Sequence, residues 1–417
     1  MQGEARKRQR FYFREGLAML QTGSCSSGSA DVMRCSAHII KYTAMVFITL
    51  LAAVAATEGA AVSVGPGESI QAAIDEARPG DSITVEAGAY RESLNISKPL
   101  TIQAAAGASR PLLDGGSSGS AMILRAEGIS VSGFDIGTAR GTGVRVVADG
   151  CIMENNTISG CLNGILLDSS RGSLIVRNDI NNNTNGITLY GCSGNTIAGN
   201  SIKDNNINDE GDCGIFLARS GDNLILNNDL QDNGDTSISL RTSANNTIKG
   251  NRIADNDWYG ICLAQSSSQN LIEGNHATGN RNSGIYLDSS MDNVLLGNRA
   301  EDNPRGIYLT YDSNDNLLQE NNLSFNGKGV QLAGHSSNNT IENNTAKENG
   351  YGIYLSFSSG WNLIFSNHLI DNDCNAYDMG QSNRWDNSLV GNYYSDLGKI
   401  FYIPGGAGVD RHPMTEP

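Results

Sequence analysis

The chain has 417 residues, 29 Lys and Arg against 44 Asp and Glu, a net charge of −15, and only 6% aromatic residues. A length beyond one ordinary core demands either several domains or stacked repeats, and an acidic surface repels phosphate backbones, so nucleic acid is excluded as a partner. Few aromatics beside 49 glycines argue against a large helical core and for many tight turns.

Residues 1–32 have neither signal-peptide nor repeat character and read as an extension from a start codon placed too early. Residues 33–61 read as an export signal: Arg34, His38 and Lys41 precede an apolar run from Ala44 to Ala56, and Ala60 and Ala61 supply small residues for cleavage. At about 13 residues the run falls short of the ~20 that a spanning helix needs. No membrane-spanning segment is therefore expected after signal removal, and the expected location is secreted, periplasmic or on the cell surface. Residues 62–81 are predicted to form an N-terminal cap. Within it Ser69 to Glu76 reads as a short helix with Ile70, Ala73, Ile74 and Ala77 on one face, capped by Ser69 and stopped by Pro79-Gly80.

From 82 to 391 the chain repeats. Gly-Ile or a close equivalent recurs at Gly164, Gly186, Gly214, Ser237, Gly260, Gly284, Gly306, Gly329, Gly352 and Asn375, with spacings of 22 to 24 residues apart from one of 28 between Gly186 and Gly214. Such a period means a solenoid. Each unit reads Gly-Ile-x-Leu, a polar turn, Asn-x-Ile/Leu, then Asn-x-Ile/Leu/Ala, which is three short strands. In the first, Ile285 and Leu287 point to one side and Tyr286 to the other. The return legs are short and Asn-rich, unlike those of a leucine-rich repeat. The prediction is an all-β chain: a right-handed parallel β-helix of about thirteen coils, about 60 Å long at one strand spacing per coil. Three asparagine columns mark its turns, from Asn195 to Asn362, from Asn178 to Asn367 and from Asn183 to Asn372. Asparagine tolerates the left-handed region and its amide bonds to neighbouring backbone, so stacked copies can form ladders. Residues 392–417 leave the repeat pattern and are predicted to be an irregular C-terminal cap.

Six cysteines, Cys151, Cys161, Cys192, Cys213, Cys262 and Cys374, follow the signal without a CxxC spacing, so they read as buried thiols or disulfide partners and not as a zinc cluster. Asn95, Asn155, Asn245, Asn322, Asn338 and Asn343 are glycosylation sequons. The acidic insertion with Asp209, Glu210 and Asp212 offers oxygen ligands suited to Ca²⁺; no other cofactor is expected.

The outward column of the Gly-Ile-x-Leu strand carries Tyr286, Tyr308, Tyr354 and Tyr377, read as an exposed aromatic stripe suited to stacking on sugar rings. Self-stacking that stiffens the sheet is the other reading. Arg305, Lys328 and Asp288 are its polar companions. A hydrolase needs two carboxylates close together, and Asp168 and Asp288 lie five coils apart while Asp312 falls in a turn. The expected partner is a polysaccharide or glycoprotein.

The segment Ser69-Ile70-Gln71-Ala72-Ala73-Ile74 through Pro79-Gly80-Asp81 and Gly88-Ala89-Tyr90 resembles the start of pectin-lyase-like β-helix proteins. The coils, with Gly391-Asn392-Tyr393-Tyr394-Ser395-Asp396 and Ile403-Pro404-Gly405-Gly406 through Val409-Asp410-Arg411-His412-Pro413, resemble the NosD-type periplasmic copper-binding β-helix family. That resemblance implies copper, yet His276, His335, His368 and His412 are scattered. His276 and His368 share a column four coils apart, about 19 Å by the strand spacing, and no metal site is assigned. The function expected is an exported or cell-surface repeat protein, non-catalytic, that binds carbohydrate or contributes to a surface layer. The alternatives are a polysaccharide lyase or glycoside hydrolase, and a metal-handling accessory protein.

Overall fold

The computed structural model describes residues 59–416, except 108, 117–118, 138–140, 207–211 and 397–400. The expected extension and nearly all of the signal segment lie outside the described residues, as do Asp209 and Glu210; Ala61, placed at the signal's end, starts the strand Ala61–Val64.

Each coil crosses three parallel sheets in turn. Sheet I holds the Gly-Ile-x-Leu strands, thirteen from Leu94–Ile96 to Cys374–Asp378. Sheet II holds fourteen from Ala61–Val64 to Leu363–Phe365, and sheet III fourteen from Ala89–Tyr90 to Tyr393–Tyr394. The winding is right-handed, with about fourteen turns by sheets II and III. Registers are strict: Ile285 pairs with Ile307, Leu295 with Leu318, Ala277 with Ala300. A full coil buries two apolar side chains from sheet I and one each from sheets II and III, such as Ile285, Leu287, Leu295 and Ala300, all 0% exposed. Fully burying an aliphatic side chain contributes about 1.5–3 kcal/mol. Alanines at 277, 300 and 346 share the inward column of sheet III with larger aliphatics such as Ile253 and Leu323.

The repeated glycine precedes the first inward side chain of sheet I, at the corner where the chain arrives from sheet III. A Cβ at Gly186 would stand 2.5 Å from the carbonyl oxygen of Gly214 and 2.9 Å from the Ile202 side chain, so the coils close only on a bare Cα. Ala121, Ser237 and, in the last coil, Asn375 are the exceptions; the Ser237 hydroxyl donates to Asn256 Oδ1 at 2.7 Å.

The asparagine columns form ladders. In most rungs the backbone N–H and the Nδ2 of one asparagine donate to Oδ1 of the next coil's, as Asn293 does to Asn316 at 2.9 and 3.1 Å, while Nδ2 also reaches the carbonyl of Ser267 in the coil before. The second column begins one rung earlier than its sequence pattern, at Asn156, and extends to Asn392. One expectation is corrected. The ladder asparagines are not themselves left-handed; the residue before each is, except Gly391 before the terminal Asn392, for example Asp292 (φ 56) before Asn293 and Asn343 (φ 55) before Asn344. The amide is what the asparagine position needs, and the αL tolerance belongs to its neighbour.

The helix Ile70–Glu76 covers the first coil with Ile70 and Ile74 buried, and Ser69 accepts from the Ala72 N–H as its cap. Chain from the next coil holds both ends. Glu92 accepts the N–H groups of Ile70 and Gln71, while Lys98 donates to the carbonyls of Ile74, Asp75 and Ala77, complementing the helix dipole. At the other end Trp385, Tyr394 and Ile403 are buried, Tyr394 stacks on Phe401 at 4.1 Å, and Phe401–Tyr402 pairs antiparallel with Val409–Asp410.

Candidate functional site

Three positions per coil of sheet I face outward: the residue before the repeated glycine, the residue between the two buried aliphatics, and the residue after them. Over four consecutive coils the first position holds Ser283, Arg305, Lys328 and Tyr351, in register. The second holds Tyr286, Tyr308, Gln331 and Tyr354, with Tyr377 beyond. The third is small after Asp288: Thr310, then Ala333 and Ser356 just past their strands.

The stripe expected to be exposed is instead packed against itself, which is a correction. Tyr286 is buried, at 8% exposure, with its ring stacked on Tyr259 at 4.3 Å and 5° and tilted against Tyr308 at 5.4 Å. Tyr308, Tyr354 and Tyr377 are half-buried. Tyr354 and Tyr377 stack at 5.3 Å with Tyr351 edge-on, and Gln331 separates this group from the first. Ring faces spent on one another are not open to a sugar. Burial, then Tyr259 and Asp288, push the Tyr286 phenol far up; burial, then Tyr377 and Tyr351, raise that of Tyr354.

Between the two groups of rings stand Arg305 and Lys328. The Arg305 guanidinium lies over Tyr308 at 4.9 Å, donates through Nε to Gln331 Oε1 at 2.9 Å and through Nη1 to Asn282 Oδ1 at 3.0 Å. The Lys328 ammonium lies over Tyr354 at 4.8 Å and Tyr351 at 6.0 Å. Burial first, and Arg305 second, hold its amine below the usual lysine range. At another point of sheet I a carboxylate does neutralise an arginine, Arg145 pairing with Asp168 at 2.6 Å, whereas Arg241 lies over Phe216 without one among the described residues. Asp288 accepts from the Ser289 hydroxyl at 2.7 Å at the far end of its strand. Asp312 lies in a turn at φ 59.

Sequence reasoning passed over Tyr259 and Tyr351, because the residue before the glycine was not counted as outward. The register of that position, cationic or aromatic in the three consecutive coils of Arg305, Lys328 and Tyr351, was the available signal. It also passed over Phe357 and Trp361, 73% and 70% exposed in the turn from sheet I to sheet II, whose faces are free to stack on a ring.

The histidines stand apart. His276 Nε2 is 3.4 Å from Glu301, His412 Nδ1 is 3.3 Å from Asp386, His335 sits exposed in a turn, and His368 lies edge-on to Tyr393. Among the described residues no group of three or more His, Cys, Asp or Glu side chains could hold a metal ion. Cys151 and Cys192 are buried thiols against backbone carbonyls, and burial pushes the former up to about 11.

The family model described as periplasmic copper-binding protein (NosD) matches residues 123–234, 203–334 and 232–398. The donor set just described does not fit copper, which requires soft or imidazole ligands gathered at one point. No curated protein matches the chain. Among solved structures, the Dettilon tailspike protein (gp208) superposes with TM-score 0.57 at 17% identity, covering 78% of this chain and 70% of that one. The enzymatically active domain of Bacteriophage CBA120 tailspike protein 2 superposes with TM-score 0.50 at 12% identity, covering 64% and 48%. DFA-IIIase from Arthrobacter chlorophenolicus A6 in complex with GF2 gives 0.49 at 16%, covering 73% and 86%. At these identities the likeness is one of fold. It nevertheless overturns the expectation of a non-catalytic protein, because the fold is shared with a domain named as enzymatically active.

Proposed function

The chain belongs to the NosD family, and from that membership and the geometry of sheet I we propose that it is an exported carbohydrate-active enzyme, a polysaccharide lyase that takes its substrate on the outward face of sheet I. The periplasm of the family's description agrees with export, and no described helix is long and apolar enough to cross a membrane. Copper enters no step of the proposal.

One observation carries the reading: the outward face around Arg305 and Lys328 gathers cations and tyrosines but, among the described residues, no pair of carboxylates. Hydrolysis by two carboxyl groups needs them about 5 to 10 Å apart. Asp168 is held by Arg145, and Asp288 lies five strands along the sheet, about 24 Å away at the strand spacing. Elimination has other needs. A C–H bond and the C–O bond β to it break, a C=C bond forms, and the proton passes to the leaving oxygen. A cation near the sugar's acid group and hydroxyls that exchange protons serve that step, and Tyr308 and Tyr354 stand beside the two cations. Phe357 and Trp361 add open faces for neighbouring sugar rings.

Incubation with a panel of acidic and neutral polysaccharides tests this. An unsaturated, ultraviolet-absorbing product is expected. Release of saturated reducing ends alone, or no cleavage of any member, would overturn it.

A further inference from the structure

We infer that Arg305 and Lys328 form a subsite for an anionic group of an acidic glycan, binding an oxyanion between the two side chains; the inference rests on the carbohydrate reading above and names its substrate class.

The two residues are register partners on adjacent strands of sheet I, so their Cα atoms are about 4.8 Å apart. Like charges placed directly opposite on a sheet destabilise it, and in a chain of net charge −15 carboxylates to offset them are plentiful. None is used. Among the described residues no carboxylate oxygen lies within 4 Å of either head group. The contacts of Arg305 are neutral amide oxygens and a ring face; those of Lys328 are ring faces.

These partners fix the head groups without neutralising them. Asn282 and Gln331 hold two edges of the guanidinium, while the rings below desolvate both cations, which strengthens any charge pairing there. A carboxylate or sulfate ester set between them would accept charge-assisted hydrogen bonds from both. It would also remove the mutual repulsion. A neutral sugar offers no such compensation.

Binding separates this inference from cleavage. Calorimetric titration of the full chain would use an oligouronate, the same oligomer with its carboxyl groups reduced to alcohols, and a sulfated neutral oligosaccharide. The uronate is expected to bind, more weakly as salt rises, and the reduced oligomer to lose about tenfold or more in affinity. Arg305→Gln and Lys328→Gln should each lose the preference for the acidic ligand. Arg219→Gln, which removes an exposed arginine over Tyr190, is the control that should keep it, and thermal melts check that all three fold. A sulfated ligand bound in place of the uronate supports the anion subsite and assigns it to sulfate. Equal affinity for the charged and reduced oligomers, or unchanged preference in both variants, overturns the inference. Acidic binding without cleavage leaves the subsite standing and sinks the lyase instead.

Discussion

The backbone N–H of Asn392 donates to Asp410 Oδ2 at 2.7 Å, the place that one coil earlier belongs to the amide oxygen of the next ladder asparagine. The other columns end in the same way. Asn383 Nδ2 donates to Asp378 Oδ1 at 3.0 Å, and Asn375, the acceptor for Asn372, donates to Asp396 Oδ1 at 2.6 Å. Every rung donates toward the C-terminal end, so the last acceptor needs no donor of its own. A carboxylate is that group.

Replacing Asp410 by alanine should therefore open the rod from its end. It strips an acceptor from the buried Asn392 N–H, the Tyr394 hydroxyl and the His412 N–H, and each buried orphan costs about 1–3 kcal/mol. Because a solenoid need not unfold as one unit, hydrogen exchange is the measurement. Faster exchange in the last coils and unchanged exchange around Asn200 is expected. Uniform protection along the chain would show that Asp410 terminates nothing.

In the middle of a ladder the same carboxylate should be harmful. Asn293 donates through Nδ2 to Asn316, Met291 and Ser267 while accepting two bonds from Asn270. Asn293→Asp keeps the acceptor but sets an oxygen against three others. A loss of several kcal/mol is the expected order, from orphaned acceptors and repulsion together. Denaturant midpoints for Asn293→Asp against an exposed Asn322→Asp measure it, and equal midpoints would contradict the ladder's polarity.

The rod was legible because it is periodic. Ile285, Leu287 and Leu295 sit where alternation and spacing put them, and the glycine recurs because every coil meets the same backbone clash. What breaks the period was not. Asp378, Asp396 and Asp410 take up the asparagine roles through irregular chain, Asp410 standing 18 positions after Asn392, so no column reaches them. Tyr286 was placed correctly on the outward face, but its burial depends on the Tyr259 ring one coil earlier. That ring enters from the position before the glycine, which alternation alone does not mark as outward.

Two carboxyl groups of the C-terminal cap should respond to acid in opposite senses. Burial pushes Asp386 up, but the N–H groups of Arg411 and Ser388 together with His412 outweigh it and leave it lowered; Asp410 is raised, burial outweighing its donors. Asp386 thus stabilises the fold above the unfolded value near 3.9, and this is lost as pH falls through its lower folded value. Asp410 does the reverse: stability is lost as pH rises from about 3.9 through its folded value. Asp386→Asn should flatten the loss of cap stability on acidification, read as the melting temperature against pH. A steeper acid loss in that variant would reverse the assignment.

Lys328 should cost stability where it serves binding. Its amine is lowered by burial and by Arg305, so the folded chain holds that proton less tightly than the unfolded chain. The cost is in force below the folded value and disappears as pH rises from there to the unfolded value near 10.4. Lys328→Gln removes the charge and keeps a polar side chain, so the variant should be more stable than the parent at neutral pH. The difference should shrink in alkaline buffer and, at neutral pH, on adding an acidic oligosaccharide, because a bound anion stabilises the parent by mass action and not the variant. Denaturant titrations at two pH values, with and without ligand, supply the comparison. A variant less stable than the parent at neutral pH would mean that Lys328 is held for its packing on Tyr354 and not in readiness for an anion.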